Sequence, residues 1–239
     1  MAKERLQKIL ARCDLGSRRE CERLITAGRV TVNGGRASIG DKADPSRDII
    51  EVDGLKITIR NRKVYIAFYK PLGVLSTTKS SDPRKNIADL IEIRERIYPA
   101  GRLDIDSEGL LLLTNDGSLT YKLTHPRFAH EKEYRVLVSK IPDNQQLDVW
   151  RHGVTFSDGS KTAPAIVRIK NISGEKAWLQ VILHEGKKRQ IRKVGERIGL
   201  PVKKILRVRI GTLRLGNLKP GEWRYLSKGE VAALKQLVG

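Results

Sequence analysis

The sequence predicts an α+β protein in two domains, and three observations carry that reading. Period-two and helix-period apolar runs are mixed along the chain, a polar break at Asn61-Arg62-Lys63 divides them unequally, and no internal repeat occurs. A chain of 239 residues is long enough for a small domain and a larger one, each with its own core.

In the first domain, Leu6, Ile9, Leu10 and Cys13 share one helical face and Arg5, Lys8 and Arg12 another, so the first helix joins a core stripe to a basic stripe. Ser17 with Glu20 three residues on is a capping-box signature. Cys21, Leu24 and Ile25 then supply the apolar face of a second helix, and Gly28 fits its stop. Val30 and Val32 alternate with polar neighbours before Asn33-Gly34, a favourable hairpin turn, and residues 49–52 precede a second such turn at Asp53-Gly54. The boundaries that follow are 1–60 for this domain, 61–63 for the linker and 64–239 for the second domain.

The second domain opens on a strand at 64–69 and a turn, Lys70-Pro71-Leu72-Gly73. Further strands are expected at 109–114, 133–139, 165–170, 177–184 and 204–215. Helices are expected at 87–97, 144–151, 188–198 and after Ser227, where Glu230 is placed for another capping box.

Charge narrows the function. Lys and Arg total 47 against 27 Asp and Glu, a formal net charge of +20, which points to a polyanionic partner such as nucleic acid. The two cysteines, Cys13 and Cys21, sit in amphipathic patterns and read as buried, reduced thiols. The charged N-terminus and the lack of a long apolar run predict a cytoplasmic protein without a membrane partner. No H-x-H or H-E-x-x-H pattern joins the four histidines, and no G-x-S-x-G, Walker or G-x-G-x-x-G fingerprint occurs. Chemistry without metal or cofactor is expected.

Three places could carry chemistry. The first is the loop Tyr98-Pro99-Ala100-Gly101-Arg102-Leu103-Asp104, with a carboxylate two residues from a guanidinium; alone, such a pair is more often structural than catalytic. The second is residues 185–193, where a strand gives way to a helix start. Between 184 and 209 stand ten Lys or Arg against Glu185 and Glu196, a composition suited to phosphate. The third is Glu131-Lys132-Glu133-Tyr134-Arg135, whose ring either packs in the core or stacks on an unstacked base.

These residues bring a family into view. Residues 5–10, Ser17-Arg18-Arg19 and Gly28-Arg29-Val30-Thr31-Val32-Asn33-Gly34 resemble an S4 RNA-binding domain of the αL type. Lys70-Pro71-Leu72-Gly73-Val74, Gly101-Arg102-Leu103-Asp104 with the segment 109–117, and Arg189-Gln190-Ile191-Arg192 resemble the RsuA/RluB family of pseudouridine synthases, with Leu206, Arg207, Ile210 and Gly211 extending the match. The resemblance implies a mixed, mainly antiparallel sheet with flanking helices for the second domain, and isomerisation of a ribosomal RNA uridine, tilted towards the large subunit. It implies that Asp104 acts on the ribose carbon, that Arg192 holds Asp104 ionised, and that Tyr134 stacks on the base and helps move the C5 proton. Leu206 would close the pocket, Arg102 would order the loop or replace the flipped base, and Lys132, Lys188, Arg189 and Gln190 would complete the substrate site.

In the S4 domain, Arg5, Lys8, Arg12, Arg18, Arg19, Arg29 and Asn33 would face RNA. The partner is then a folded rRNA stem-loop, with no obligate protein partner and a monomeric enzyme. The rival reading is a non-catalytic rRNA-binding or assembly factor, against which Asp104, Tyr134 and Arg192 together argue.

Overall fold

The computed structural model describes residues 3–58, 62–78 and 82–239. Of the expected first domain, residues 1, 2, 59 and 60 lie outside the described residues, as does Asn61 of the linker. The chain divides into two compact units, Met1–Lys63 and Val64–Gly239.

The smaller unit runs β1 (Glu4–Arg5), α1 (Leu6–Arg12), α2 (Arg18–Thr26), β2 (Val30–Val32), β3 (Gly35–Arg36), β4 (Lys42–Ala43), β5 (Ile50–Val52) and β6 (Leu55–Lys56). β1 pairs with β4, and the other strands form a sheet in the order β3-β2-β5-β6. The capping box starts α2: Glu20 N–H donates to Ser17 Oγ at 3.2 Å and Ser17 N–H to Glu20 Oε2 at 2.7 Å. Leu6, Ile9, Leu10, Cys21 and Ile25 bury against Val30, Ile50 and Val52. Cys13 departs from expectation: it sits at the C-cap of α1, past the last helical turn, and is only half-buried. Cys21 is buried, and neither cysteine forms a disulfide.

The larger unit contains β7 (Tyr65–Lys70), β8 (Tyr98–Pro99), β9 (Glu108–Thr114), α3 (Gly117–Thr124), β10 (Lys132–Val138), α4 (Asn144–His152), β11 (Ile166–Ser173), β12 (Lys176–Leu183), α5 (Gln190–Arg197), β13 (Val202–Ile210), β14 (Leu213–Arg214), β15 (Trp223–Tyr225) and α6 (Lys228–Leu237). Its sheet has nine strands in the order β11-β12-β10-β13-β9-β7-β15, with β14 on β13 and β8 on β9. Every pairing is antiparallel except β9 with β13. The fold class is α+β.

At β7 and β9 both faces of the sheet are covered. On β7 and β9, Tyr65, Ala67, Tyr69, Leu110 and Leu112 pack with Leu119, Leu123 and Leu234 of α3 and α6, while Ile66, Phe68, Leu111 and Leu113 pack under Ile87, Ile91 and Ile97. This alternation is why β7 and β9 are apolar at almost every position. A further core joins Tyr134, Val136 and Val138 to Trp150 of α4 and Val194 of α5.

The structure alters three sequence expectations. Residues 87–97 hold one 3-10 turn, Ile87–Asp89, capped by Asn86, and the isoleucines beyond it bury from irregular backbone. The expected strand at 204–215 breaks at Gly211, with φ +53°, into the β13–β14 hairpin. Helix α3, absent from the sequence reading, starts at Asp116, whose carboxylate accepts from Ser118 N–H at 3.1 Å and Leu119 N–H at 3.3 Å. Among the described residues no helix is long and apolar enough to cross a membrane.

Candidate active site

The loop that carries Asp104 leads into β9, and its position depends on how closely β9 approaches β13. Gly109 has φ +109°, and a Cβ there would stand 2.3 Å from the Arg207 carbonyl oxygen. Only glycine permits that approach. Arg207, 3% exposed, reaches back under the loop: its Nε donates to the Leu110 carbonyl at 2.8 Å and its Nη1 to the Arg102 carbonyl at 3.5 Å.

Ser76 clamps the residue before Asp104 on both sides, donating to the Leu103 carbonyl at 2.7 Å and accepting from Leu103 N–H at 3.0 Å. Ser107 N–H then donates to the Asp104 carbonyl at 3.1 Å, closing a turn. Beneath lies Lys70, fully buried at the end of β7, its ammonium donating to the Pro71 and Val74 carbonyls at 2.8 and 2.9 Å. Burial pulls the Lys70 pKa down to about 8, although Asp106, Glu108 and Asp104 oppose that shift.

Asp104 opens into a cleft of about 470 Å³, whose walls include Tyr134 from β10, Leu183 from β12, Ile191 from α5 and Ile205 from β13. Arg102, Lys187, Lys188, Arg189 and Gln190 complete its rim. A half-buried carboxylate thus shares one cleft with an aromatic ring, apolar walls and cationic side chains. Beside it a second cavity of about 150 Å³ shares Gly101, Arg102, Tyr134 and Gly186 with the first.

A sequence model of RNA pseudouridylate synthases matches residues 64–196, the segment that contains this loop, Tyr134 and the start of α5. The chain belongs to the RNA pseudouridylate synthase family. An S4 domain model matches residues 4–49. An uncharacterized RNA pseudouridine synthase of Aquifex aeolicus is 41% identical over all of this chain and 96% of its own length. The ribosomal large subunit pseudouridine synthase B of Bacillus subtilis is 42% identical over 98% of this chain and 96% of its own. A crystal structure of a pseudouridylate synthase superposes with a TM-score of 0.70 at 25% identity, covering 96% of this chain and 99% of that one.

Within this pseudouridylate synthase fold, two residues differ from the geometry the sequence implies. Arg192 does not pair with Asp104. Its Nε lies 3.0 Å from Asp106 Oδ2, its Nη2 donates to the Asp106 carbonyl, and its Nη1 to the Val202 carbonyl at 3.3 Å. Arg189 joins it on Asp106 Oδ2 at 2.9 Å. The cause is the turn after Asp104, which swings Asp106, two residues on, against the start of α5. Burial would raise the Asp106 pKa, but Arg189 and Arg192 outweigh it and lower it.

Leu206 is the second: it lines neither cavity and packs with the core of α3 and α6, while Ile205 forms the apolar wall. Neighbouring strand residues point to opposite faces, and Ile205 is the one opposite Val136, on Tyr134's side of the sheet.

Gln190 is buried and structural, donating to Glu185 Oε1 at 2.7 Å and accepting from Lys187 N–H at 3.1 Å, which fixes the entry to α5. Lys132 lines the smaller cavity and donates to the His130 carbonyl at 3.0 Å.

In the S4 unit, Lys8 and Arg12 both pair with Glu4, at 2.6 and 2.8 Å, and Arg29 pairs with Asp53. Asn33 holds Asp48 Oδ1 at 3.0 Å and accepts from Ile49 N–H at 2.9 Å, a turn clamp. Arg5, Arg18 and Arg19 are exposed, as is Arg29 in its pair with Asp53. The sequence reading placed Lys70 in a family motif without giving it a role, and it missed Ser76. A lysine closing an apolar strand was the available signal for Lys70; nothing local marks Ser76.

Proposed function

We propose that this cleft isomerises one uridine of ribosomal RNA to pseudouridine, with large-subunit rRNA as substrate. The observation that carries the reading is that Asp104 and Tyr134 line one nucleoside-sized cleft, in a chain of this family. A volume of 470 Å³ corresponds to about fifteen waters, comparable with the ~17 heavy atoms of a uridine. The name of the Bacillus subtilis relative supports the large subunit.

Asp104 attacks the ribose C1′, or assists elimination there, as the N1–C1′ bond breaks. The base turns and C5 bonds to C1′; C5 then loses its proton and N1 carries one, so the product is an isomer and neither water nor cofactor is consumed. Tyr134 stacks on the base and assists the C5 proton transfer, with Ile205 as apolar wall. Arg189 and Arg192 act as positioning residues through Asp106, holding the turn that aims Asp104. The uridine is flipped out of a folded stem-loop at a cost of a few kcal/mol, offset by contacts of the basic surface. A monomer acting in the cytoplasm is part of the same proposal.

The test is a pseudouridine-specific map of total rRNA from cells lacking the protein, complemented by wild type or by Asp104→Asn. One lost site restored only by wild type is expected. A map unchanged by deletion of the protein would overturn the reading, and restoration by Asp104→Asn would overturn the assignment of Asp104.

A further inference from the structure

The smaller cavity carries features that the isomerisation does not use. Arg207 lines it, is 3% exposed, and has a buried Nη2 with no hydrogen-bond acceptor among the described residues. Lys132 stands on the same wall, its pKa lowered first by burial and then by the Arg207 charge. Arg102, His125 and His184 line it as well. Glu185, the only acid among the lining residues, already accepts from Ala163 N–H at 2.8 Å and from Gln190 at 2.7 Å. A buried guanidinium with an unused donor beside a second cation is a site that lacks its anion.

From the lining, His125 leads out to a cluster of rings on α3 and the turn after it. Its ring centroid lies 5.0 Å from that of Tyr121 and 6.3 Å from that of Phe128, and the Arg127 guanidinium sits 5.2 Å from the Tyr121 ring and 4.4 Å from the Phe128 ring. Tyr121 is 46% exposed. An exposed ring with a cation over one face and tilted rings beside it is a platform for a planar base.

Size divides the two roles. A volume of 150 Å³ corresponds to about five waters, enough for the five heavy atoms of a phosphate group and far short of the ~20 of a nucleotide. We infer that the cavity and its rim form a subsite for the nucleotide next to the target uridine, its phosphodiester on Arg207 and Lys132 and its base on Tyr121 and His125. This rests on the proposed function and extends it to the RNA chain leaving the cleft.

The test uses the full chain and in-vitro-transcribed large-subunit rRNA, with binding followed over a range of KCl concentrations and turnover measured at saturating RNA. Lys132→Met removes a phosphate contact, so the slope of log K against log[KCl] should fall by ~0.7 to 0.9. Tyr121→Ala removes stacking alone, so affinity should fall about tenfold with the slope unchanged. Tyr121→Trp should restore it, and kcat at saturating RNA should stay near wild type in Tyr121→Ala. Melting temperatures identify any variant that fails to fold. Because Arg207 also braces the loop, Lys132→Arg replaces an Arg207 variant as the second charge test and should keep the slope. Unchanged affinity and slope in folded Lys132→Met and Tyr121→Ala would overturn the subsite, and so would a loss confined to kcat. Wild type that binds rRNA but forms no pseudouridine would instead overturn the proposed function.

Discussion

At the residue scale, the candidate site rests on a lysine that never meets solvent. The Lys70 ammonium, buried at the end of β7, titrates at about 8 instead of 10.5. Between those values the unfolded chain binds the extra proton, so stability rises with pH across that window. Below about pH 8 both states are protonated and the full cost of burying the charge remains. The gain across the window is at most ~3 kcal/mol. Lys70→Met removes the titration, so the wild-type urea midpoint should climb relative to the variant's from about pH 8 to about pH 10.5; midpoints that stay parallel would refute the assignment. Legibility at this scale was uneven. Asp104 and Tyr134 stood in motifs whose wording needs no register. The choice between Ile205 and Leu206 depends on which face of β13 meets Tyr134, and the pairing of β10 with β13 shifts register between Glu133 and Tyr134, a bulge that no local pattern announces. Arg192 followed its motif but not its partner, because the turn that presents Asp106 is a matter of loop geometry.

At the scale of elements, the contact between β9 and β13 holds the site together. These strands run parallel and meet only at Leu206 with Glu108 and Arg207 with Gly109, yet they bring the Asp104 loop beside β10. Gly109→Ala puts a Cβ 2.3 Å from a backbone oxygen at a φ of +109°, so neither a rotamer change nor a small shift relieves it. A loss of at least ~3 kcal/mol in unfolding free energy is expected, with turnover falling even where the variant remains folded. A fully active variant with wild-type stability would show that the approach is not required. Such a long-range parallel pairing leaves no trace in local pattern, whereas the antiparallel strands β7, β10 and β12 were legible because burial writes an apolar rhythm into each. Helices α2 and α6 were legible through their capping boxes. Residues 87–97 were not, since isoleucines buried from irregular backbone give the same spacing as a helix, and α3 hid because its Asp116 cap follows directly on the β9 strand.

For the whole molecule, charge and core are distributed unequally between the two units. Residues 1–63 hold 15 Lys and Arg against 9 Asp and Glu, and residues 64–239 hold 32 against 18, so most of the excess accompanies the cleft. Each unit has its own buried cluster: Leu6, Ile9, Leu10 and Ile25 in the first, and the clusters on the nine-stranded sheet in the second. A chain of residues 64–239 should therefore fold and melt cooperatively without the S4 unit. It should bind rRNA less tightly and with a shallower salt dependence. If Arg5, Arg18 and Arg19 each meet a phosphate, log K against log salt loses ~2 to 3 in slope, because every released counterion contributes close to one. The shortened chain should still isomerise uridine at high RNA concentration, since the residues around Asp104 all lie beyond position 64. Filter binding over a salt series, with pseudouridine formation measured in parallel, separates the effects. An unchanged slope would remove the S4 unit from RNA contact, and a shortened chain that aggregates would show that the second core needs the first.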